Sequence, residues 1–138
     1  MSAWVYPTNV THGYIDFFTK GDYIVFQTDG THLSFFAGGW GRGQCCILLP
    51  DNWLNNWQHV AGVCTGRELK LYLNGKLQQT IPVEENIQST EISWNLGRNA
   101  ELPYSRQYEG LFDDIKIYKD ALSDQDIEYQ YLQKNHDQ

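Results

Sequence analysis

The sequence has few basic residues, few cysteines and no long apolar run. Its 10 Lys and Arg stand against 17 Asp and Glu, which gives a formal net charge of −7 at pH 7. So acidic a chain repels the phosphate backbone of nucleic acids. No apolar stretch approaches the ~18 residues that a membrane-spanning helix requires. We therefore expect neither nucleic acid nor a membrane as a partner.

The three cysteines do not form a pattern typical of metal binding or disulfide pairing. Cys45, Cys46 and Cys64 include no CxxC spacing, and three thiols cannot all pair. Adjacent residues of a strand point to opposite faces, so only one of Cys45 and Cys46 can face Cys64. We expect buried free thiols.

No secretory leader is visible, because the opening MSAWVYP has no basic region followed by an apolar stretch, and this says little about the location of a longer parent protein. Met1 directly precedes strand-like residues, which suggests a domain excised from a longer protein with an added start residue. The length of 138 residues is enough for one domain with a hydrophobic core and too short for two ordinary ones. We interpret residues 1–138 as a single domain.

Aromatic residues and an alternating apolar pattern are abundant. Aromatics make up 14% of the chain, which excludes a disordered protein. Residues 69–73 (LKLYL) alternate, and Asn74-Gly75 follows, the strongest short signal for a hairpin. About ten such segments predict an all-β antiparallel sandwich. They are SAWVYP, YIDFFTK, DYIVFQT, THLSFFA, QCCILL, WQHVAGVC, ELKLYL, KLQQTI, EISWNLG and EGLFDDIKIY.

A short helix is predicted near the C-terminus. Ser123 can cap its first turn, and the acidic residues just after it suit the positive end of the helix dipole. Ile127 and Tyr131 lie four residues apart on one face, with Leu132 beside them. We expect these three to pack on the edge of a sheet.

Several motifs in order resemble a known family. Residues 57–63 (WQHVAGV) and 69–76 (LKLYLNGK) are similar to the central signature of laminin-G-like domains. Residues 110–118 (GLFDDIKIY), followed by Ala-Leu-Ser, resemble the closing strand of that family, and SAWV near the start resembles an early one. The resemblance implies a concanavalin A-like jelly roll of two curved sheets. Relatives usually carry one or two strands before SAWV, whose absence would leave a sheet edge open.

The catalytic pattern of the glycosidases in this superfamily is absent. Those enzymes carry E-x-D-x-x-E on one strand, so that two carboxylates can flank a glycosidic bond. Here the nearest acidic clusters are adjacent pairs, whose side chains point to opposite faces: Glu84-Glu85, in a segment that reads as a solvated turn, and Asp113-Asp114. We expect no enzyme activity from the domain itself, and a glucanase is the least favoured hypothesis.

Asp113 and Asp114 are the candidate metal ligands. Asp113 shares a strand face with Ile115 and Ile117, where an unpaired carboxylate is costly to bury. It therefore needs hydrogen bonds, a basic partner or a cation. Some relatives bind calcium at the sandwich edge, so the resemblance implies a calcium site at Asp113 and Asp114, and structural hydrogen bonding is the alternative.

Three loop aromatics are the candidate ligand contacts, because the other large rings fit core positions. Trp94, for example, shares a strand face with Ile92 and Leu96 and is predicted to be core. Aromatic faces stack on sugar rings, and an arginine supplies a forked hydrogen-bond donor. The candidate residues are Trp40, Arg42, Trp53, Tyr104 and Arg106. Trp40 lies in a glycine-rich hairpin and is expected to be more exposed than a typical tryptophan.

The resemblance implies two functions. The first is a non-catalytic carbohydrate-binding module that targets an attached glycoside hydrolase to an oligo- or polysaccharide. The second is a protein-interaction or bracing module packed against a neighbouring catalytic domain of the same chain. Either implies a secreted, periplasmic or cell-surface location.

Overall fold

Two antiparallel sheets and one helix make up the computed structural model, which describes residues 1–10, 13–83, 87, 90–102 and 105–133. The elements are β1 (Ser2–Pro7), β2 (Ile15–Lys20), β3 (Ile24–Thr28), β4 (His32–Ala37), β5 (Cys45–Leu48), β6 (Gln58–Cys64), β7 (Glu68–Leu73), β8 (Lys76–Pro82), β9 (Trp94–Leu96), β10 (Gly110–Lys116) and α1 (Asp124–Gln133). Sheet A has the order β10-β1-β6-β7-β8, and sheet B has the order β5-β4-β3-β2-β9. The predicted sandwich is confirmed.

The hairpin between β7 and β8 shows why local sequence defines these strands. Leu73 pairs with Lys76, and the two residues between them have positive φ, 51° at Asn74 and 81° at Gly75. A type I′ turn requires positive φ at both positions, and Asn and Gly accept it at the least cost. The predicted turn is confirmed.

The core lies between the two sheets and is built largely from phenylalanine. The Phe26 ring lies 5.5 Å from that of Phe17 and 5.4 Å from that of Phe35. Opposite them in sheet A is Gly62, where a Cβ atom would lie only 2.7 Å from the Phe35 ring. The sheets therefore approach closely at this point because one position has no side chain.

An irregularity in β2 decides which side chains leave the core. The pairing of β2 with β3 shifts register between Asp16 and Phe18. Phe17 and Phe18 are both fully buried, and both contact rings of the core. Because a β-bulge breaks the strict alternation of faces, two successive phenylalanines can turn inward while Asp16 faces away from the core.

Helix α1 packs on the outer face of sheet A, not on a sheet edge as predicted. Its Ile127 is buried, and Tyr131 stacks on Trp4 at 5.5 Å. Tyr72 on β7 donates a hydrogen bond to Asp124 at the helix start, 2.5 Å long. Leu132 is 67% exposed, so its predicted packing was wrong. Leu132 follows Ile127 by five residues, which places its side chain about 140° around the helix axis from Ile127 and away from the sheet.

Strand β9 is shorter and more exposed than predicted. It pairs with β2 across two residue pairs, Phe18–Leu96 and Thr19–Asn95, at the edge of sheet B. Trp94 is half-buried, and both Ile92 and Leu96 are exposed. The prediction that Trp94 belongs to the core with them was therefore wrong, because an edge strand has a neighbour on one side only.

The cysteines are free, as expected, but only one of them is buried. Cys45 lies in the core, and burial raises the pKa of its thiol to about 11. Cys46 and Cys64 are half-buried.

Candidate ligand-binding site

The glycine-rich tip between β4 and β5 presents Trp40 to solvent. Gly38, Gly39 and Gly41 have φ of 98°, 95° and 82°. Residues with a Cβ atom rarely adopt such positive values, whereas glycine does so readily. The indole packs on the Phe36 ring at 4.6 Å and remains 47% exposed. A cleft of about 250 Å³ opens beside it. The predicted exposure of Trp40 is confirmed.

Trp40 belongs to a cluster that brings together separate loops. The Tyr14 ring, 44% exposed, lies edge-on to the indole at 6.3 Å. The guanidinium of Arg106 lies over the Tyr14 ring, 4.9 Å from its centre, a cation–π arrangement. We call Tyr14, Trp40 and Arg106 the Trp40 cluster. Its two rings and one fixed cation offer stacking surfaces and forked donors to a ligand.

Asp16 lies directly under this cluster. Its carboxylate is fully buried, and Oδ2 is 4.0 Å from Nη1 of Arg106. The backbone N–H of Asp16 also donates to the carbonyl of Arg106 at 2.8 Å, which fixes the two residues relative to each other. Burial raises the pKa of Asp16 to about 6, although the positive charge of Arg106 opposes the shift.

Asp16 begins a row of polar side chains across sheet B. It pairs with Gln27 of β3, which pairs with Ser34 of β4, which in turn pairs with Cys46 of β5. Since Phe26 and Phe35 point into the core, their neighbours Gln27 and Ser34 point outward. We call Asp16, Gln27 and Ser34 the polar floor.

The polar floor is buried although it lies on an outer face. All three of its residues are buried, so other groups cover them, and Arg106 of the Trp40 cluster supplies part of that cover at Asp16. Both carboxylate oxygens of Asp16, Oε1 of Gln27 and Nη1 of Arg106 are buried without a hydrogen-bond partner. Buried polar atoms of this kind usually bind water or a ligand.

The other predicted ligand contacts are placed differently. Trp53 is only 3% exposed and packs on Phe17 in the core, so its ring is closed to a ligand in this structure. The sequence could not show this, because the segment around it has a loop-like composition. Arg42 is exposed in the same tip as Trp40, with its Cδ close to Gly38. Tyr104 lies outside the described residues.

Asp113 and Asp114 are engaged within the protein. Oδ1 of Asp113 accepts a hydrogen bond from the backbone N–H of Asp114 at 2.8 Å, and Asp114 lies 3.4 Å from the ammonium of Lys116. Asp114 has a positive φ of 50°, so the simple alternation of faces does not hold here. Within the described ranges, no three His, Cys, Asp or Glu side chains converge on a metal-sized site. These contacts match the structural alternative, and calcium binding stays a prediction.

Sequence reasoning missed Tyr14, Asp16 and Gln27. One signal was present, since Tyr14 and Asp16 are two residues apart and share a strand face. A carboxylate inside the otherwise apolar segment YIDFF also marked a special position. The role of Gln27 depends on strand register, which a single sequence does not specify.

A family profile now identifies the chain's relatives. The profile of the concanavalin A-like lectin/glucanases superfamily, a laminin-G-like group, matches residues 1–128. The chain belongs to this superfamily. No curated protein matches the sequence.

Solved structures share the fold at low sequence identity. A candidate carbohydrate-binding protein from Bacteroides ovatus superposes with a TM-score of 0.76 at 13% identity, over 92% of this chain and 38% of its own. Domain 4 of AbnA, an extracellular GH43 arabinanase from Geobacillus stearothermophilus, was solved with arabinotriose. It superposes with a TM-score of 0.67 at 21% identity, over 93% of this chain and 63% of its own.

A third similar structure is a protein-binding domain. The binding domain of botulinum neurotoxin DC, in complex with rat synaptotagmin II, gives a TM-score of 0.65 at 17% identity, over 98% of this chain and 35% of its own. This chain thus spans about a third to two thirds of the length of these proteins. At such identities the similarity establishes the fold alone. No helix in the described part of the chain is long and apolar enough to cross a membrane.

Proposed function

We propose that this chain is a non-catalytic carbohydrate-binding module. One observation carries the proposal, namely the Trp40 cluster, in which two half-exposed aromatic rings and an arginine lie over a buried polar floor. The fold similarity to the Bacteroides ovatus protein and to the AbnA domain solved with arabinotriose supports a carbohydrate as the ligand.

The physical basis lies in the two-sided chemistry of sugars. A sugar ring has apolar C–H faces that stack on indole and phenol rings, and hydroxyl groups that need hydrogen-bond partners. The exposed faces of Trp40 and Tyr14 supply the stacking surface. Arg106 and the polar floor supply donors and acceptors beneath it.

The biological role that follows is targeting. A module of modest affinity raises the local concentration of an attached catalytic domain near its glycan. We propose that the parent protein is a glycoside hydrolase acting outside the cell or at its surface. The sequence lacks the E-x-D-x-x-E pattern that carries the catalytic carboxylates in the glycosidases of this superfamily.

A glycan array, followed by titration calorimetry on each hit, tests the proposal. We expect wild type to bind one or more neutral oligosaccharides, and Trp40→Ala to weaken binding about 10-fold or more by removing a stacking surface. Tyr129→Ala is the matched control, because this exposed aromatic lies on helix α1, far from the Trp40 cluster in the fold. A folded wild-type sample that binds no glycan, with calcium supplied, would refute the proposal.

A second function is favoured by a different surface. The edge strands β9 and β10 and the residues that follow β10 expose several large apolar side chains, and such patches often mark protein contacts. They are Leu96, Leu111, Ile115 and Ile117. A bracing module would bind the neighbouring domain of its parent through them. Leu111→Ser with Ile117→Ser should then abolish co-purification with that domain, while Trp40→Ala should not.

A further inference from the structure

The unpartnered atoms of the site are mostly acceptors. Asp16 contributes two carboxylate oxygens and Gln27 its amide oxygen, all buried and without a hydrogen bond of good geometry, although the Asn99 side chain lies close enough to Asp16 to lower its pKa. Among the residues that the structure describes, the unpartnered donor beside them is Nη1 of Arg106. Such atoms cost free energy unless something donates to them. Because three of these four atoms are acceptors and one is a donor, a ligand that satisfies them must donate more hydrogen bonds than it accepts.

We propose that the polar floor is the specificity-determining subsite of the proposed carbohydrate site, and that it selects uncharged, hydroxyl-rich sugars over sugars that carry a carboxylate. This inference rests on the proposed function and adds the chemical class of its ligand. Each hydroxyl of a neutral sugar can donate a hydrogen bond to Asp16 or Gln27 and accept one in return. A uronate carboxylate can only accept.

Charge acts in the same direction. Arg106 is a cation beside the polar floor, and it lies 4.0 Å from the Asp16 carboxylate. Its positive charge is therefore already opposed within the protein, and its face is engaged with the Tyr14 ring. A second carboxylate brought to this place would meet Asp16 as a like charge in a poorly hydrated setting, where repulsion is strong.

Access to the Asp16 end of the polar floor passes the Arg106 side chain, which lies 4.0 Å from the carboxylate. Tyr14 is 44% exposed and the Arg106 side chain 21% exposed, while Asp16 under them is fully buried. Exposed side chains change rotamer in picoseconds to nanoseconds, much faster than a backbone element moves. A sugar hydroxyl reaches the carboxylate when these two side chains turn aside.

Two variants test the assignment. Asp16→Asn keeps the shape of the side chain and replaces one acceptor with a donor, and Gln27→Leu removes the amide without changing the neighbouring strands. We expect each to weaken binding of neutral oligosaccharides about 10-fold, the usual cost of a lost hydrogen bond to a buried group. Asp51→Asn is the matched control, since Asp51 is exposed in the loop after β5.

The measurement is titration calorimetry at pH 7.5 with arabinotriose, xylotetraose and cellotetraose, and with cellotetraose oxidised at C6 to the uronate. Wild type should bind at least one neutral probe, and the uronate should bind more than 10-fold more weakly than cellotetraose or not at all. In Asp16→Asn the affinity for the uronate should approach that for cellotetraose.

The outcomes separate the two proposals. Wild type that binds none of the neutral probes would overturn the carbohydrate function and this inference together. Neutral binding that both Asp16→Asn and Gln27→Leu leave within twofold of wild type would show that ordered water alone fills the polar floor. That result would overturn the inference and leave the proposed function standing. Uronate binding by wild type equal to or tighter than neutral binding would also overturn it.

Discussion

The outer faces of the two sheets both bury a titratable side chain under aromatic rings, but they are closed in different ways. On sheet A, His59 lies against Trp4 at 5.2 Å, and Tyr131 of helix α1 covers both rings. On sheet B, Asp16 lies under Arg106 and Tyr14, which reach it from the segments that flank the strands. Helix α1 forms the first cover, whereas over Asp16 the covering group that the described residues show is the Arg106 side chain.

This difference separates a structural face from a binding face. Helix α1 is anchored at both ends, by Tyr72 to Asp124 and by Ser2 to Gln130 at 2.7 Å, so the rings under it stay buried. Trp4 is buried whereas Trp40 is half-exposed. A cover of side chains leaves aromatic surface in water and can be moved at small cost, which is what a ligand needs.

The largest expected effect comes from loosening the helix. Ile127→Ala removes a fully buried side chain between α1 and sheet A, and such deletions cost about 2–5 kcal/mol in unfolding free energy. Urea denaturation measures the loss. Glycan binding by the folded variant should be unchanged, because the Trp40 cluster is on the other sheet.

Leu132→Ala is the matched control on the same helix, since Leu132 points into solvent, and its cost should stay within about 0.5 kcal/mol. Equal losses from both substitutions would mean that the helix does not pack as described.

The second effect concerns pH, where the two faces should oppose each other. Burial raises the pKa of Asp16 from 3.8 to about 6, so its contribution to stability is full below about pH 4 and is lost as pH rises through 6. Burial lowers the pKa of His59 from 6.5 to about 4, so its contribution is full above pH 6.5 and is lost as pH falls through 4. Each term is of the order of 3 kcal/mol, at 1.36 kcal/mol per unit of pKa shift.

Single substitutions should reveal how each group makes the free energy of unfolding depend on pH. Between pH 7 and pH 4.5 the two terms partly cancel in wild type. Asp16→Asn should leave the His59 term, so that this variant loses stability on acidification. His59→Gln should leave the Asp16 term and gain stability over the same range. Urea denaturation at intervals of half a pH unit measures the free energy of unfolding of wild type and both variants. If the three curves of this free energy against pH run parallel, the assignment of both groups is contradicted.

A smaller effect is expected at the start of the helix. Oγ of Ser123 accepts a hydrogen bond from the backbone N–H of Asp126 at 3.1 Å, and Asp126 accepts one in return from the N–H of Ser123 at 3.0 Å. This reciprocal cap was predicted in part from the sequence. Ser123→Ala should cost about 1 kcal/mol, measured by urea denaturation, and Ser123→Asp should restore most of it. A neutral Ser123→Ala would show that tertiary contacts alone hold the helix.

The sequence predicted those features of the fold that depend on neighbouring residues. Alternation defined the strands, Asn74-Gly75 defined a turn, and Ser123 defined a helix start. It failed where position in a sheet decides the outcome. Trp94 has the periodicity of a core residue, but β9 is an edge strand, and periodicity does not reveal which strand lies at an edge.

The candidate site was predicted only in part for the same reason. Trp40 and Arg106 were found by their residue types in glycine-rich and polar segments. Their connection through Tyr14 and Asp16 joins residues about ninety positions apart in sequence, and depends on a bulge in β2 that no local pattern marks. Trp53 and Trp40 lie in segments of similar loop-like composition, yet Trp53 is buried in the core and Trp40 is half-exposed to solvent.

The smallest expected effect tests the cover of the polar floor directly. Tyr14→Ala removes the exposed ring that holds the Arg106 guanidinium, an interaction worth about 0.5–1 kcal/mol at such sites. The larger consequence should be electrostatic, because water then reaches Asp16 and its pKa should fall from about 6 towards 3.8. Carboxyl NMR titration measures this shift. His59, covered by a helix, should keep its lowered pKa in the same variant, and an unchanged Asp16 pKa would mean that Tyr14 is not part of the cover.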